Sequence, residues 1–250
     1  MQVGNVLAFV AVLIVNGLAG GTKVLGGKTT ADVSAAYPTS ITPAGFTFAI
    51  WGIIYVLLLT FIVFQLTPRH RQDSFNNRVG FLFMLSCAFN IAWLFLWQYD
   101  YIAASVPLIF GLLLSLAAVY HRLGIGRSKA PLGEKLGVHL AFSVYLGWIT
   151  VASLADLSAA LVSVKWDGFG LSQTGWGQVF IVAAIAFAFF ILVVERDLPY
   201  GLVIVWALAG ISASQGGHPE VASLAQAGAV GVSVAVLLLG ILGVMKSRKG

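Results

Sequence analysis

Residues 136–155 read LGVHLAFSVYLGWITVASLA, an unbroken apolar run with one histidine and no Lys, Arg, Asp or Glu. A helix of ~20 residues is ~30 Å long, which matches the hydrocarbon core of a bilayer. The run lacks the apolar–polar alternation that a transmembrane barrel strand requires. Similar stretches recur along the chain. The sequence therefore predicts an all-α integral membrane protein with spans at residues 3–20, 43–66, 79–98, 101–120, 136–155, 175–194, 199–215 and 221–245.

The composition supports a membrane protein. Apolar residues make up 59% of the chain and charged residues 9%, whereas a soluble domain carries about 25% charged residues. These values exclude a soluble globular enzyme and a disordered chain. The net charge of +5 is spread over hydrophobic segments and forms no basic face, so we expect a lipid bilayer and no nucleic acid as the partner. The single cysteine, Cys87, excludes an intrachain disulfide and a multi-cysteine metal site.

The basic residues of the loops predict the orientation of the spans. Eleven of the 14 basic residues follow spans two, four, six and eight. The other loops hold only Lys23, Lys28 and Lys165. The sequence therefore predicts that both termini are cytoplasmic and that the long first loop, residues 21–42, lies outside.

Aromatic and amide side chains from different spans are predicted to lie at one depth. With a rise of ~1.5 Å per residue, Trp51, Trp93 and Trp148 each fall about 9–14 Å below the outer face, and Asn90 falls near the same level. Residues three or four apart share a helix face, as do Trp51 with Tyr55, Asn90 with Trp93, and Tyr145 with Trp148. These features predict an outward-facing aromatic pocket for a flat hydrophobic ligand.

Simpler interpretations of the same residues remain open at the sequence level. Tryptophan and tyrosine often form belts at membrane interfaces, and Trp97 and Trp176 are interpreted in this way. Asn90 is equally explained by a hydrogen bond between helices. Asp156 is equally explained by a solvated helix end.

Three motifs resemble one known family. The stretch Pro43-Ala-Gly-Phe-Thr-Phe-Ala-Ile-Trp51-Gly-Ile-Ile-Tyr55 resembles the second-helix signature of the TspO/MBR family of tryptophan-rich sensory proteins, which reads roughly Pro-x-x-x-Phe-x-x-x-Trp-x-x-x-Tyr. Asn90-Ile-Ala-Trp93 matches the Asn-x-x-Trp of its third helix, and Tyr145-Leu-Gly-Trp148-Ile-Thr-Val-Ala152 is similar to the Tyr-Leu-x-Trp-Val-x-x-Ala of its fifth. The resemblance covers about residues 3–160.

The resemblance implies a division of the chain and a set of site residues. Residues 1–160 would form a five-helix TspO-like bundle, and residues 161–250 would add about three transmembrane helices. The chain departs from the family pattern in having Asp156 where the family usually has Asn, and Val144 where it usually has Pro. The ligand-binding positions carried over are Phe46, Trp51, Tyr55, Asn90, Trp93, Tyr145, Trp148 and Asp156.

The resemblance also implies a function. Members of the TspO/MBR family bind tetrapyrroles, sterols or other flat hydrophobic molecules, and they are often homodimers. The leading hypothesis is therefore a membrane receptor or carrier for a porphyrin-type tetrapyrrole, without catalytic residues or a metal site. Three alternatives remain: an enzyme that degrades a bound porphyrin in light, a transporter in which Asp156 couples an ion or a proton, and a structural or pigment-associated subunit of a larger membrane complex.

Overall fold

Eight long helices account for most of the fold. A computed structural model describes residues 1–247, and we number only the long helices within that range. They are α1 (Gln2–Gly21), α2 (Ile50–Leu66), α3 (Leu82–Gln98), α4 (Ile102–Leu123), α5 (Leu132–Ser163), α6 (Gln173–Val194), α7 (Leu198–Ser214) and α8 (Pro219–Ser247).

These helices confirm the predicted all-α membrane fold. Six of them, counted within the described residues, are long and apolar enough to cross a bilayer, with α2 taken together with the turn before it. The helices α3 and α7 are apolar but shorter, at 17 residues each. No strand occurs between residues 1 and 247.

The bounds of two helices differ most from the sequence prediction. Helix α2 begins only at Ile50, because Gly45–Ala49 forms a tighter 3₁₀ turn. Helix α5 continues to Ser163, two turns beyond the predicted end at residue 155, and includes one π-helical turn at Lys135–His139. Asp156 therefore lies within a helix and is buried, which excludes the interpretation of a solvated helix end.

The first five long helices pack in a closed ring. Helix α1 contacts α3 and α2, α3 contacts α4, α4 contacts α5, and α5 closes the ring against α2. The last three helices form a second layer, in which α8 packs on α7 and α6 and α7 packs on α5. Helix α5 therefore lies between the ring and the second layer, and every residue from Ala141 to Val151 is buried.

One end of the bundle is covered by residues 22–49, which we call the cap segment. Its short helix Thr30–Ala36 begins with a capping box, in which the Thr29 hydroxyl accepts from the backbone N–H of Asp32 and the Asp32 carboxylate accepts from that of Thr29. Gly26 has φ +65°, and a Cβ there would lie 2.0 Å from the carbonyl oxygen of Gln98, so only glycine fits this approach.

Helices from both layers hold the cap segment in place. The Gln98 amide of α3 donates to the carbonyl oxygen of Lys28 at 2.8 Å. The Gln215 amide, at the end of α7, donates to the carbonyl oxygens of Thr39 and Thr42 at 3.2 and 3.1 Å. The backbone N–H of Ala44 donates to the carbonyl oxygen of Gly210 at 3.0 Å. The C-terminal helices therefore help to position the cover of the five-helix ring.

Candidate functional site

A cavity lies directly beneath the cap segment, and we call it the tryptophan cavity. Its volume is about 50 Å³, whereas small-molecule sites measure ~300–1,000 Å³, so a flat ligand requires the surrounding side chains to move apart. Three of its walls are indole rings from three helices of the ring: Trp51 of α2, Trp93 of α3 and Trp148 of α5. The cap segment supplies the cover through Thr30, Ser34, Tyr37, Thr42 and Pro43.

The indole rings meet at defined angles. The Trp148 and Trp51 ring centroids are 6.3 Å apart with the planes at 82°, which is an edge-on contact. Trp51 also stacks on Tyr55, with centroids 5.7 Å apart and planes at 20°. Such edge-to-face and offset-stacked pairs are favourable for aromatic rings. The arrangement gives the cavity flat apolar walls held in fixed orientations.

A second space, the side cavity, adjoins the first. It has a volume of about 300 Å³ and extends to α1, where it reaches Leu13, Asn16 and Gly17. Thr30, Phe48, Trp51 and Trp93 line both cavities. These four residues therefore lie between the two cavities.

Two of the predicted site residues lie behind the cavity wall. Asn90 and Tyr145 are buried, and neither lines either cavity. The Asn90 amide donates to the Tyr145 hydroxyl at 3.1 Å, and its oxygen accepts from the Asn16 amide at 2.7 Å. Asn90 thus forms hydrogen bonds that join α1, α3 and α5. This agrees with the alternative interpretation of Asn90 as a residue that links helices.

Phe46 is a predicted site residue that lines neither cavity. Its side chain is 52% exposed and packs edge-on against Trp206 of α7, with centroids 5.4 Å apart. Phe48 takes the position in the cavity and contacts Trp148 at 6.1 Å. The reason is the register: residues 48 and 51 are three apart and share a face, whereas residues 46 and 51 are five apart and do not.

The sequence interpretation missed two further contributors. Trp97 was expected at the membrane interface, but it is buried, lines the tryptophan cavity and donates to the carbonyl oxygen of Thr30 at 3.3 Å. It stacks on Trp93 with centroids 5.9 Å apart. Ala207 of α7 also lines the cavity, so the second layer of helices contributes to its wall.

Polar groups are few in this cavity. The Asp156 carboxylate accepts from the Trp93 indole N–H at 3.1 Å, and the Ser105 hydroxyl lies 3.0 and 3.1 Å from its two oxygens. The indole N–H of Trp148 is buried and has no hydrogen-bond partner. Buried donors are nearly always paired in proteins, so this N–H is a candidate group for contacting a ligand.

The lysines of the cap segment lie close to carboxylates outside the tryptophan cavity. Lys28 forms an ion pair with Asp100 at 2.5 Å, and the hydrogen bond from Lys28 to Asp100 raises the pKa of the lysine. Lys23 lies 3.9 Å from Asp32. Neither lysine lines the tryptophan cavity or the side cavity. Among the described residues, no group of three His, Cys, Asp or Glu side chains could hold a metal ion.

The fold and the cavity define a multi-pass α-helical membrane protein with an aromatic cavity beneath its cap segment. The TSPO-like protein family model matches residues 2–240, and the chain belongs to that family. The match extends through α7 and most of α8, so it includes the second layer of helices. None of the curated proteins and none of the solved structures matches the chain significantly.

Proposed function

We propose that the chain is a membrane receptor or carrier that binds a flat hydrophobic ligand in the tryptophan cavity. The observation that carries the proposal is the convergence of Trp51, Trp93 and Trp148 around one covered space. Membership of the TSPO-like family supports a receptor or transporter role. A porphyrin-type tetrapyrrole is the ligand class that we propose first, because a rigid planar ring can stack on several indoles at once.

The proposed orientation places the cap segment outside and both termini in the cytoplasm. The structure groups Arg69, Arg71, Arg78, Arg127 and Lys129 in connections at the end of the bundle opposite the cap segment. Basic residues are enriched on the cytoplasmic side of membrane proteins. A ligand would then enter from the outer side or from the lipid near α1.

Two further sequence-based expectations stay predictions. They are the division into a binding bundle at 1–160 with further helices at 161–250, and the formation of a homodimer.

Quenching of tryptophan fluorescence by an added porphyrin tests the proposal in purified protein. The double substitution Trp51→Ala and Trp148→Ala should weaken porphyrin binding by about tenfold or more, because stacking on an aromatic side chain contributes ~1–3 kcal/mol per ring. The matched control is Trp166→Ala with Trp176→Ala, which removes two indoles that contact each other outside the cavity. Equal affinities of the two double variants would contradict the proposal.

A further inference from the structure

Asp156 brings a carboxyl group into the apolar wall of the tryptophan cavity. Its side chain is 2% exposed and lines the cavity one turn beyond Ala152. The Ser105 hydroxyl near it has one proton and also lies 2.7 Å from the carbonyl oxygen of Ile102, so it cannot donate to every acceptor around it. The indole N–H of Trp93 is the remaining protein donor to this carboxyl group. Acceptor capacity of Asp156 is therefore left for a ligand.

No basic side chain in the lining of the two cavities, among the described residues, pairs with the Asp156 carboxyl group. No Lys, Arg or His side chain is among the described residues that line the tryptophan cavity or the side cavity. The two lysines of the cap segment, Lys23 and Lys28, pair with Asp32 and Asp100 instead. A buried carboxylate is costly unless it is paired and hydrogen-bonded. A cationic ligand would remove that cost.

Helix α5 also carries a hydrogen-bond donor, the indole N–H of Trp148, at a fixed distance from the Asp156 carboxyl group. The Trp148 indole N–H is buried and unpartnered, and the Trp148 side chain lines the cavity. Trp148 and Asp156 are eight residues apart on α5, which separates them by about 12 Å along the helix axis. The cavity thus presents a hydrogen-bond donor near one end and a carboxyl group near the other, with apolar and aromatic walls between them.

We propose, resting on the ligand site of the proposed function, that this cavity selects flat apolar molecules that carry a protonated nitrogen. The nitrogen binds the Asp156 carboxylate, and an acceptor on the far side of the ring system accepts from the Trp148 N–H. A ligand carboxylate is disfavoured, because it would be desolvated beside a like charge with no cation in the wall. A free-base porphyrin has no cationic ring nitrogen at neutral pH, so it would bind through its ring alone, with its carboxylates outside the cavity.

Three pyrene probes of one ring size test the selection in purified protein in a non-ionic detergent. They are 1-pyrenemethylamine, 1-pyrenemethanol and 1-pyrenecarboxylic acid, and their binding is followed by energy transfer from tryptophan to pyrene. Wild-type protein should bind the amine about tenfold or more tightly than the acid, with the alcohol between them. This ranking requires no substituted protein.

Two matched substitutions test whether Asp156 is the source of the preference for the amine. Asp156→Asn keeps an oxygen that can accept from Trp93 but removes the charge, so the preference for the amine over the acid should disappear. Asp197→Asn makes the same change at a buried carboxyl group that lies outside both cavities and accepts from Ser143. It should leave the preference unchanged.

The outcomes separate the two proposals. Equal affinities of wild-type protein for the three probes, or an amine preference that survives Asp156→Asn, would overturn the selection while leaving a site for flat ligands. Failure of the protein to bind any pyrene probe and any porphyrin would overturn the proposed function and the selection together.

Discussion

The Trp93 indole donates a hydrogen bond to the Asp156 carboxylate across the gap between α3 and α5, at 3.1 Å. This bond ties one wall of the tryptophan cavity to the single charged side chain in its lining, counted among the described residues. It fixes the orientation of the Trp93 ring, which then stacks on Trp97. The polar contact and the aromatic wall are therefore parts of one arrangement.

Substitution of Asn90 should affect stability more than ligand binding. In Asn90→Ala, the buried Tyr145 hydroxyl and the Asn16 amide each lose a partner, which should lower the free energy of unfolding by about 1–2 kcal/mol. Thermal unfolding in detergent measures this loss. Affinity for a flat ligand should stay within about twofold of wild type, because Asn90 does not line the cavities.

The control for this prediction is Asn77→Ala, at an exposed position in the short helix Ser74–Val79. It should change the free energy of unfolding by less than about 0.5 kcal/mol. A large loss of ligand affinity in Asn90→Ala with unchanged stability would show that Asn90 contacts the ligand directly, contrary to the structure.

Substitution of Gly210 should disturb the cap segment from the second layer of helices. A Cβ at Gly210 would lie 2.0 Å from the Thr47 hydroxyl, so the turn Gly45–Ala49 would have to move. We expect Gly210→Ala to destabilise the protein by about 1–3 kcal/mol, as overpacking does. Ligand affinity should fall as well, because this turn carries Phe48 into the cavity wall.

Gly231→Ala is the matched control, since it lies on α8 and a Cβ there meets nothing within 4 Å. It should be neutral or slightly stabilising, because alanine is the better helix former. If both glycine variants behaved alike in unfolding and in ligand binding, the contact between α7 and the cap segment would not position the cavity.

The proposed orientation predicts a labelling pattern. In a Cys87→Ser background, which removes the one cysteine of the chain, Val24→Cys places a thiol in the cap segment and Gln72→Cys places one at the opposite end, both at exposed positions. A membrane-impermeant maleimide should label Val24→Cys in intact cells, and Gln72→Cys only after permeabilisation. Neither change alters the loop charge that sets orientation. The reverse pattern would invert the assignment of the two sides.

Much of the fold and part of the site could be predicted from the sequence. Long apolar runs specify membrane helices because backbone groups must be satisfied within the helix in lipid. The depths of Trp51, Trp93 and Trp148 follow from a constant rise per residue, and the structure brings these three rings to one cavity. Periodicity and depth were sufficient here because the three rings lie within regular helices.

The remaining differences come from tertiary contacts and local backbone geometry. Phe48 lines the cavity and Phe46 does not, because residue 48 shares a face with Trp51 and residue 46 does not. The sequence alone indicates an interface position for Trp97, because periodicity does not show that the Thr30 carbonyl of the cap segment accepts from its indole N–H. The apolar pattern predicts too early an end for α5, because Asp156 interrupts it, although Trp93 and Ser105 form hydrogen bonds with Asp156 inside the bundle.

Filling the tryptophan cavity tests the central claim most directly, because it removes space without removing a proposed ligand contact. Ala155 lies in the cavity lining two turns beyond Trp148, whereas Ala186 is exposed on α6. We predict that porphyrin titration of Ala155→Phe, monitored by quenching of tryptophan fluorescence, shows a loss of affinity of about tenfold or more, and that Ala186→Phe binds as wild type does. Wild-type affinity in a folded Ala155→Phe protein would contradict the claim that the ligand binds among the three indoles.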